Sequence, residues 1–173
     1  MEPTVKAAGA VVRDLRADDH EAALAINEAN TPAVGTLDAE RFGHLAGQCA
    51  IALAAEVSND LAGFCLVLSP GADYGSVNYR WFAARYDDFA YLDRVAVDER
   101  HRDRGIGTAL YAEVERRTTA RWFLLEVNLR PRNDGSLRFH HRLGFREVGQ
   151  QETPYGARVS MLAKDLAPAA AGC

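Results

Sequence analysis

Lysine is almost missing from this chain: Lys6 and Lys164 stand alone, and arginine supplies the rest of the positive charge. With a net charge of −4 there is no broad basic field of the kind that gathers nucleic acid. Cysteine is scarce and odd in number; Cys49, Cys65 and Cys173 have no metal-ligand spacing, and no metal is expected. Cys49 and Cys65 lie in apolar runs and read as buried free thiols, which fits a reducing compartment, the cytoplasm. The N-terminus lacks a basic stretch followed by an apolar core, so no secretory signal is read. No apolar run approaches the ~18 residues of a membrane span, so no membrane partner is expected. Internal repeats, linkers and domain boundaries are also absent. What remains is an ordinary globular balance, 25% charged and 48% hydrophobic over 173 residues, enough for one domain with one sizeable core. We read that domain as 1–166, and the Ala/Pro/Gly-rich end, 167–173, as a disordered tail.

Taken in order, residues 8–15 read as a first strand and Asp18 as the N-cap of a helix, with Glu21 three residues on. Thr31-Pro32 ends that helix, and a second covers 38–47. The runs 48–57 and 61–69 flank Ser58-Asn59-Asp60 and read as an antiparallel hairpin. An aromatic-rich piece, 78–86, reads as a short helix before a strand at 89–97. A helix at 105–119, a buried strand at 121–129, a helix from Asn133 to about Leu143 capped by Gly144, and a final strand pair complete the order. The class is mixed α/β, an antiparallel first half followed by a strand–helix–strand crossover.

One stretch carries chemistry. The apolar run Tyr91-Leu92 and Val95-Ala96-Val97 leads into an arginine-rich turn, and then into Arg102-Asp103-Arg104-Gly105-Ile106-Gly107-Thr108. A strand, a loop of unobstructed backbone N–H groups and a helix N-terminus present donors and partial positive charge to an anion, most often a phosphate. Ile106, Ala109, Leu110 and Val114 form a core-facing stripe, with Glu113, Arg116 and Arg117 on the outer face. The glycines alone equally suit a tight strand-to-helix turn. Two nucleotide loops fit poorly. Gly107-Thr108 lacks the lysine of a P-loop. A dinucleotide fingerprint needs glycine where Leu110 stands, and its glycines directly after the strand.

The arrangement resembles instead the GCN5-related N-acetyltransferase (GNAT) superfamily. The likeness rests on Arg102-x-x-Gly105-x-Gly107, placed between Val95-Ala96-Val97-Asp98 and a helix. A second match is Asn133-x-x-Ser136-Leu137-x-Phe139-His140-x-x-Leu143-Gly144-Phe145. Together they cover 90–145; residues 1–88 match only in general layout. The resemblance implies one central, mostly antiparallel sheet of about 6–7 strands with a splayed central pair, flanked by about 4 helices. It also implies acetyl-CoA as cofactor. Backbone N–H groups from Arg102 through Asp103, Arg104, Gly105, Ile106 and Gly107 to Thr108 would hold the pyrophosphate. The edge at Val95, Ala96 and Val97 would pair with pantetheine, and a backbone N–H near Val95 would meet the thioester carbonyl. Asn133 would bind the pantetheine arm, with Ser136, Phe139 and His140 along the same helix.

Amide formation from an amine requires that the attacking nitrogen lose a proton and that the departing thiolate, thiol pKa ~8.5, can gain one. Glu126 is a charge inside the apolar strand Leu124-Leu125-Glu126-Val127 and should face a cleft or a partner. Asp93, two residues before Val95, is the other candidate base, with pairing to Arg94 or Arg130 as its structural reading. Direct attack by a neutral amine needs neither. Many family members use a tyrosine acid where this chain has His140, which a modest upward shift would make a donor. Tyr79, Trp81, Phe82 and Arg85 stand where the family often builds its acceptor wall, although aromatics there equally suit a core. The expected reaction is acetyl transfer to a primary amine: a small molecule, an amino-acid-like compound or a protein N-terminus. The alternative is an acyl-CoA-binding sensor with weak or no catalysis. A monomer and a homodimer both fit the sequence.

Overall fold

The computed structural model describes residues 6–7 and 9–167. The tail expected from Ala167 lies, from residue 168 on, outside the described residues. The chain packs as two compact units, one built from residues up to 68 with 92–118, the other from 69–91 with 119 onward.

In the first unit the strands are β1 (Lys6–Ala7), β2 (Ala10–Asp14), β3 (Ile51–Val57), β4 (Asp60–Leu68) and the C-terminal part of β5 (Phe89–Val97), side by side in that order. The β1–β2, β2–β3 and β3–β4 pairs are antiparallel. Ser58 and Asn59 both take positive φ, 50° and 68°, as a two-residue hairpin turn between right-twisted strands requires. Three helices belong here: α1 (His20–Ala29), α2 (Ala39–Gln48) and α4 (Ile106–Arg117). A 3-10 turn at Ala17–Asp19 leads into α1. The helix therefore begins after Asp18, and Asp19, not Asp18, accepts the backbone N–H of Arg16 at 2.7 Å. Helix α4 buries Ile106, Ala109, Leu110, Tyr111 and Val114. Glu113, expected outside, is buried and gathers Arg116 and Arg117 at 2.7 Å each. Those guanidiniums, Arg116 foremost, hold its carboxyl below the usual range. Gly63 on β4 is required by close approach: a Cβ there would lie 2.9 Å from the Ala96 carbonyl oxygen and 3.1 Å from Ile106.

The second unit contains α3 (Val77–Ala83), the start of β5, β6 (Trp122–Arg130), α5 (Asp134–Arg142), β7 (Arg146–Glu152) and β8 (Arg158–Asp165). Its strand order is β5-β6-β8-β7. The β5–β6 pair is parallel over Phe89↔Trp122, Ala90↔Phe123 and Tyr91↔Leu124, and β6–β8 and β7–β8 are antiparallel. Ser76 caps α3 by accepting from Tyr79 N–H, and Asn133 caps α5 by accepting from Ser136 N–H. Gly144 follows α5 at φ +94°, the left-handed position that glycine fills without strain. Fully buried Phe82, Phe89, Tyr91, Phe123 and Phe145 form this unit's aromatic core. The class is the expected mixed α/β with mostly antiparallel pairing, and among the described residues there are five α-helices where about four were expected. Among the described residues no helix is long and apolar enough to cross a membrane.

Candidate active site

The loop between β5 and α4 is built to leave donors unspent. Asp98 caps a 3-10 turn at Glu99–His101, and its carboxyl, pushed down to about 2 by hydrogen bonds from the Arg100 side chain and backbone N–H, fixes the turn's start. The backbone then passes through positive φ at Asp103 (58°) and Gly105 (78°). Gly105 is the N-cap of α4 and brings no side-chain acceptor. The first-turn N–H groups of Ile106, Gly107 and Thr108 have no intrahelical acceptor by helix geometry, so they are offered to an external anion. Ile106 is buried and anchors the turn, while Arg102, Asp103, Arg104, Gly105 and Thr108 are exposed. The Arg102 guanidinium donates to Asn30 Oδ1 at 2.9 Å.

Upstream, Asp98 N–H donates to Ala62 C=O on the β4 side at 2.8 Å. By strand alternation the backbone groups of Val95 and Val97 point the other way, and Ala96 turns towards β4. The Val97 carbonyl is met there by Asn30 Nδ2 at 3.2 Å, a contact the sequence does not announce. Asp93 is not poised as a base. It pairs with Arg94 Nε at 2.8 Å, both side chains less than a tenth exposed, and Arg94 also donates to Asn27 Oδ1 and Gly35 C=O. This buried pair ties the segment after α1 to β5.

In the second unit Glu126 projects from β6 between buried Leu125 and Val127 and stays half-buried. The Tyr91 hydroxyl lies 2.9 Å from its Oε1 and 2.8 Å from its Oε2 and donates to the carboxylate. Asn78 Nδ2, from α3, donates to Oε1 at 3.1 Å. Gln151 Nε2, from β7, donates to Asn78 Oδ1 at 2.7 Å. From the sequence Tyr91 reads only as part of the apolar run of β5, Gln151 only as part of a strand, and Asn78 as part of the stretch where the family often builds its acceptor wall. Donors on a carboxylate favour its ionised form.

His140 departs from expectation. It is buried, its ring packs edge-on to Phe139 and Phe145, and Nδ1 lies 2.7 Å from the Ser136 carbonyl oxygen. A carbonyl only accepts, so Nδ1 carries the proton. Burial pushes the imidazole down to about 4, not up. It is neutral at pH 7 and unsuited to act as an imidazolium acid. Asn133 spends Oδ1 on the Ser136 N–H at 3.1 Å, which leaves its amide N–H groups to face a ligand. Ser136 and Phe139 are half-buried on the same helix.

The expected acceptor wall is largely core. Phe82 is fully buried. Tyr79 is 3% exposed, its hydroxyl donating to Ser69 C=O and accepting from Ala72 N–H. Tyr79 packs edge-on against Phe89 and Tyr91 of β5, and Phe82 lies tilted against Tyr91, so the aromatic face goes in. Trp81 is half-buried, with the Arg85 guanidinium 3.8 Å from its ring centre. A cavity of about 380 Å³ near Leu129, Arg132, Leu137, Glu147 and Arg158 holds none of the expected site residues. Its Glu147 is met by Ser160 and Gln150.

Residues 10–145 match the model of the acetyltransferase (GNAT) family. A search of curated proteins finds no match. Among solved structures, Ard1 from Thermoplasma volcanium superposes with a TM-score of 0.74 at 18% identity, covering 91% of this chain and 97% of its own. The ribosomal-protein-S18-alanine N-acetyltransferase from Escherichia coli gives 0.70 at 19%, covering 95% and 98%. Salmonella typhimurium yncA, solved with its cofactor acetyl-CoA, gives 0.67 at 20%, covering 95% and 98%. At such identities the likeness to these structures concerns the fold.

Proposed function

Because the chain belongs to the acetyltransferase (GNAT) family, we propose that it transfers an acetyl group from acetyl-CoA to a primary amine by direct attack in a ternary complex. The observation that carries this reading is the uncapped first turn of α4 behind Gly105, within a match that spans both motifs. The loop fits a pyrophosphate: two glycines clear the approach, and successive N–H groups carry the positive end of the helix. On this reading residues 1–166 act as one catalytic domain.

When bound, acetyl-CoA supplies a thioester whose carbonyl carbon is the electrophile. The N–H groups from Asp103 to Thr108 would hold the pyrophosphate, that of Arg102 being turned to Glu99 C=O at 3.4 Å, and the Asn133 amide would donate to the pantetheine arm. By strand alternation the Val95 and Val97 backbone groups point away from β4, which supports strand-like pairing with the pantetheine arm there. The Val95 N–H would be the donor for the thioester carbonyl oxygen. Glu126 accepts the amine proton, directly or through water, and Tyr91 and Asn78 hold it ionised for that purpose. His140 is given no acid role; a thiolate of thiol pKa ~8.5 takes its proton from solvent. The buried, neutral His140 also favours the second reading, an acyl-CoA sensor with weak chemistry.

The acceptor panel should pair small amines and amino acids with short peptides bearing free N-termini, since the E. coli neighbour is named for an alanine of a ribosomal protein. Thiol release from acetyl-CoA is the readout. Turnover with one member, lost in Glu126→Gln, supports the enzyme. Tight acetyl-CoA binding with no turnover across the panel supports the sensor. Unchanged acetyl-CoA affinity in Gly107→Trp would overturn the cofactor site.

A further inference from the structure

Glu126 receives donors from two elements. Tyr91 reaches it from β5, and Asn78 reaches Oε1 from α3. Asn78 is only 4% exposed, and both ends of its amide are used: Nδ2 donates to Glu126 and Oδ1 accepts from Gln151. The two ends of a primary amide are alike in shape and opposite in chemistry. Turned round, the amide would set Oδ1 against a carboxylate oxygen, acceptor against acceptor. Gln151 blocks that rotation by offering a donor to the far end. The helix that carries Asn78 is seated at both ends, by the Ser76 cap and by Trp81 packed on Gly149 of β7. Among the other elements packed here, β8 sets Met161 opposite Glu126 in register, and β7 brings Gln151. Helix α3 also bears Arg80, which is exposed, and Tyr79, whose hydroxyl is spent on Ser69.

We propose that Asn78, its amide orientation fixed by Gln151, is a positioning residue for proton transfer: it holds Oε1 of Glu126 in place for the incoming amine. The proposal rests on Glu126 as the base. A donor to the ionised form favours that form, so removing Asn78 Nδ2 raises the pH at which Glu126 titrates. The expected rise is about one pH unit, the scale of one hydrogen bond to a charged group.

The test is a carbon-detected NMR titration of the full chain labelled at glutamate carboxyls, with Glu126→Gln assigning the signal. In Asn78→Ala the midpoint moves up by about one unit; in Gln151→Leu, a gentler change at a half-buried site, it moves up by less. A purely structural role for Asn78 predicts an unshifted midpoint in the folded variants, and that result in both would overturn the proposal. Should Asn78→Ala not fold, Gln151→Leu decides alone. The amine-panel assay separates the two claims. A Glu126→Gln protein with wild-type turnover overturns the base assignment and the catalytic meaning of the brace with it. An inactive Glu126→Gln with unshifted midpoints overturns the brace alone. An upward shift with kcat reduced and the acetyl-CoA KM unchanged supports both.

Discussion

As the proposed base, Glu126 would accept a proton and then give it up, and donors from Tyr91 and Asn78 meet its ionised form. Two donors on one carboxylate, with part of its surface still open, favour the ionised base in the resting protein. Replacing it with glutamine keeps the shape and the strand while deleting the basic site. We expect kcat to fall about 10²–10⁴-fold with an acetyl-CoA KM close to wild type, measured on whichever amine turns over. His140 makes a different prediction, about stability. Its folded-state pKa is about 4, below the unfolded value of about 6.5. The unfolded chain therefore binds the extra proton first. The stability linked to His140 is complete above pH ~6.5 and drains away as pH falls towards 4. Urea unfolding at pH 7 and pH 4.5 should show wild type losing roughly 2–3 kcal/mol more than His140→Asn over that interval.

Helix α3 shows how an element can matter more than its sequence suggests. It is seven residues long, and its place on β7 depends on Gly149, where an added Cβ would sit 2.6 Å from the Trp81 ring. The rigid indole cannot yield as a flexible tip would. Gly149→Ala should lower stability by about 1–3 kcal/mol, the range for overpacking, and shift the tryptophan emission. Because Asn78 rides on the same short helix, the transfer rate should drop as well. The sequence made the β5–α4 unit legible because its signals are local: a β-branched run, an arginine turn, two glycines and a 3.6-residue stripe. Asn133 and Gly144 framed α5 for the same reason. The proton-handling cluster was not legible. Asn78 lies 48 residues from Glu126, Tyr91 lies 35 residues from it and Gln151 lies 73 residues from Asn78, and no periodicity links such positions. Tyr79 and Phe82, which the sequence leaves open between acceptor wall and core, stayed undecided for a related reason. An aromatic-rich helix reads the same whether its rings face a ligand or a core, and only the packing partner decides. His140 was placed correctly on its helix. Its neighbours Phe139 and Phe145, which strip water from the ring and lower its basicity, are what the sequence could not weigh.

At the scale of the whole molecule, the proposed function gives holding the cofactor and moving the proton to different stretches of chain, so that the two can be separated in one observable. A ligand that binds only the folded state stabilises it by RT ln(1 + [L]/Kd), about 2.7 kcal/mol at one hundred times Kd. For a chain of this size that corresponds to a rise in Tm of roughly 5–10 °C. Calorimetric melts with saturating acetyl-CoA should show this rise for wild type. Glu126→Gln should show it too, because its carboxylate handles a proton and carries none of the pyrophosphate. Gly107→Trp should show none, since its indole fills the approach to the first-turn N–H groups of α4. A full rise in Gly107→Trp would remove the cofactor from the loop. A rise lost in Glu126→Gln would mean that this carboxylate helps to hold the cofactor, and the fall in kcat could then no longer be read as the loss of a base.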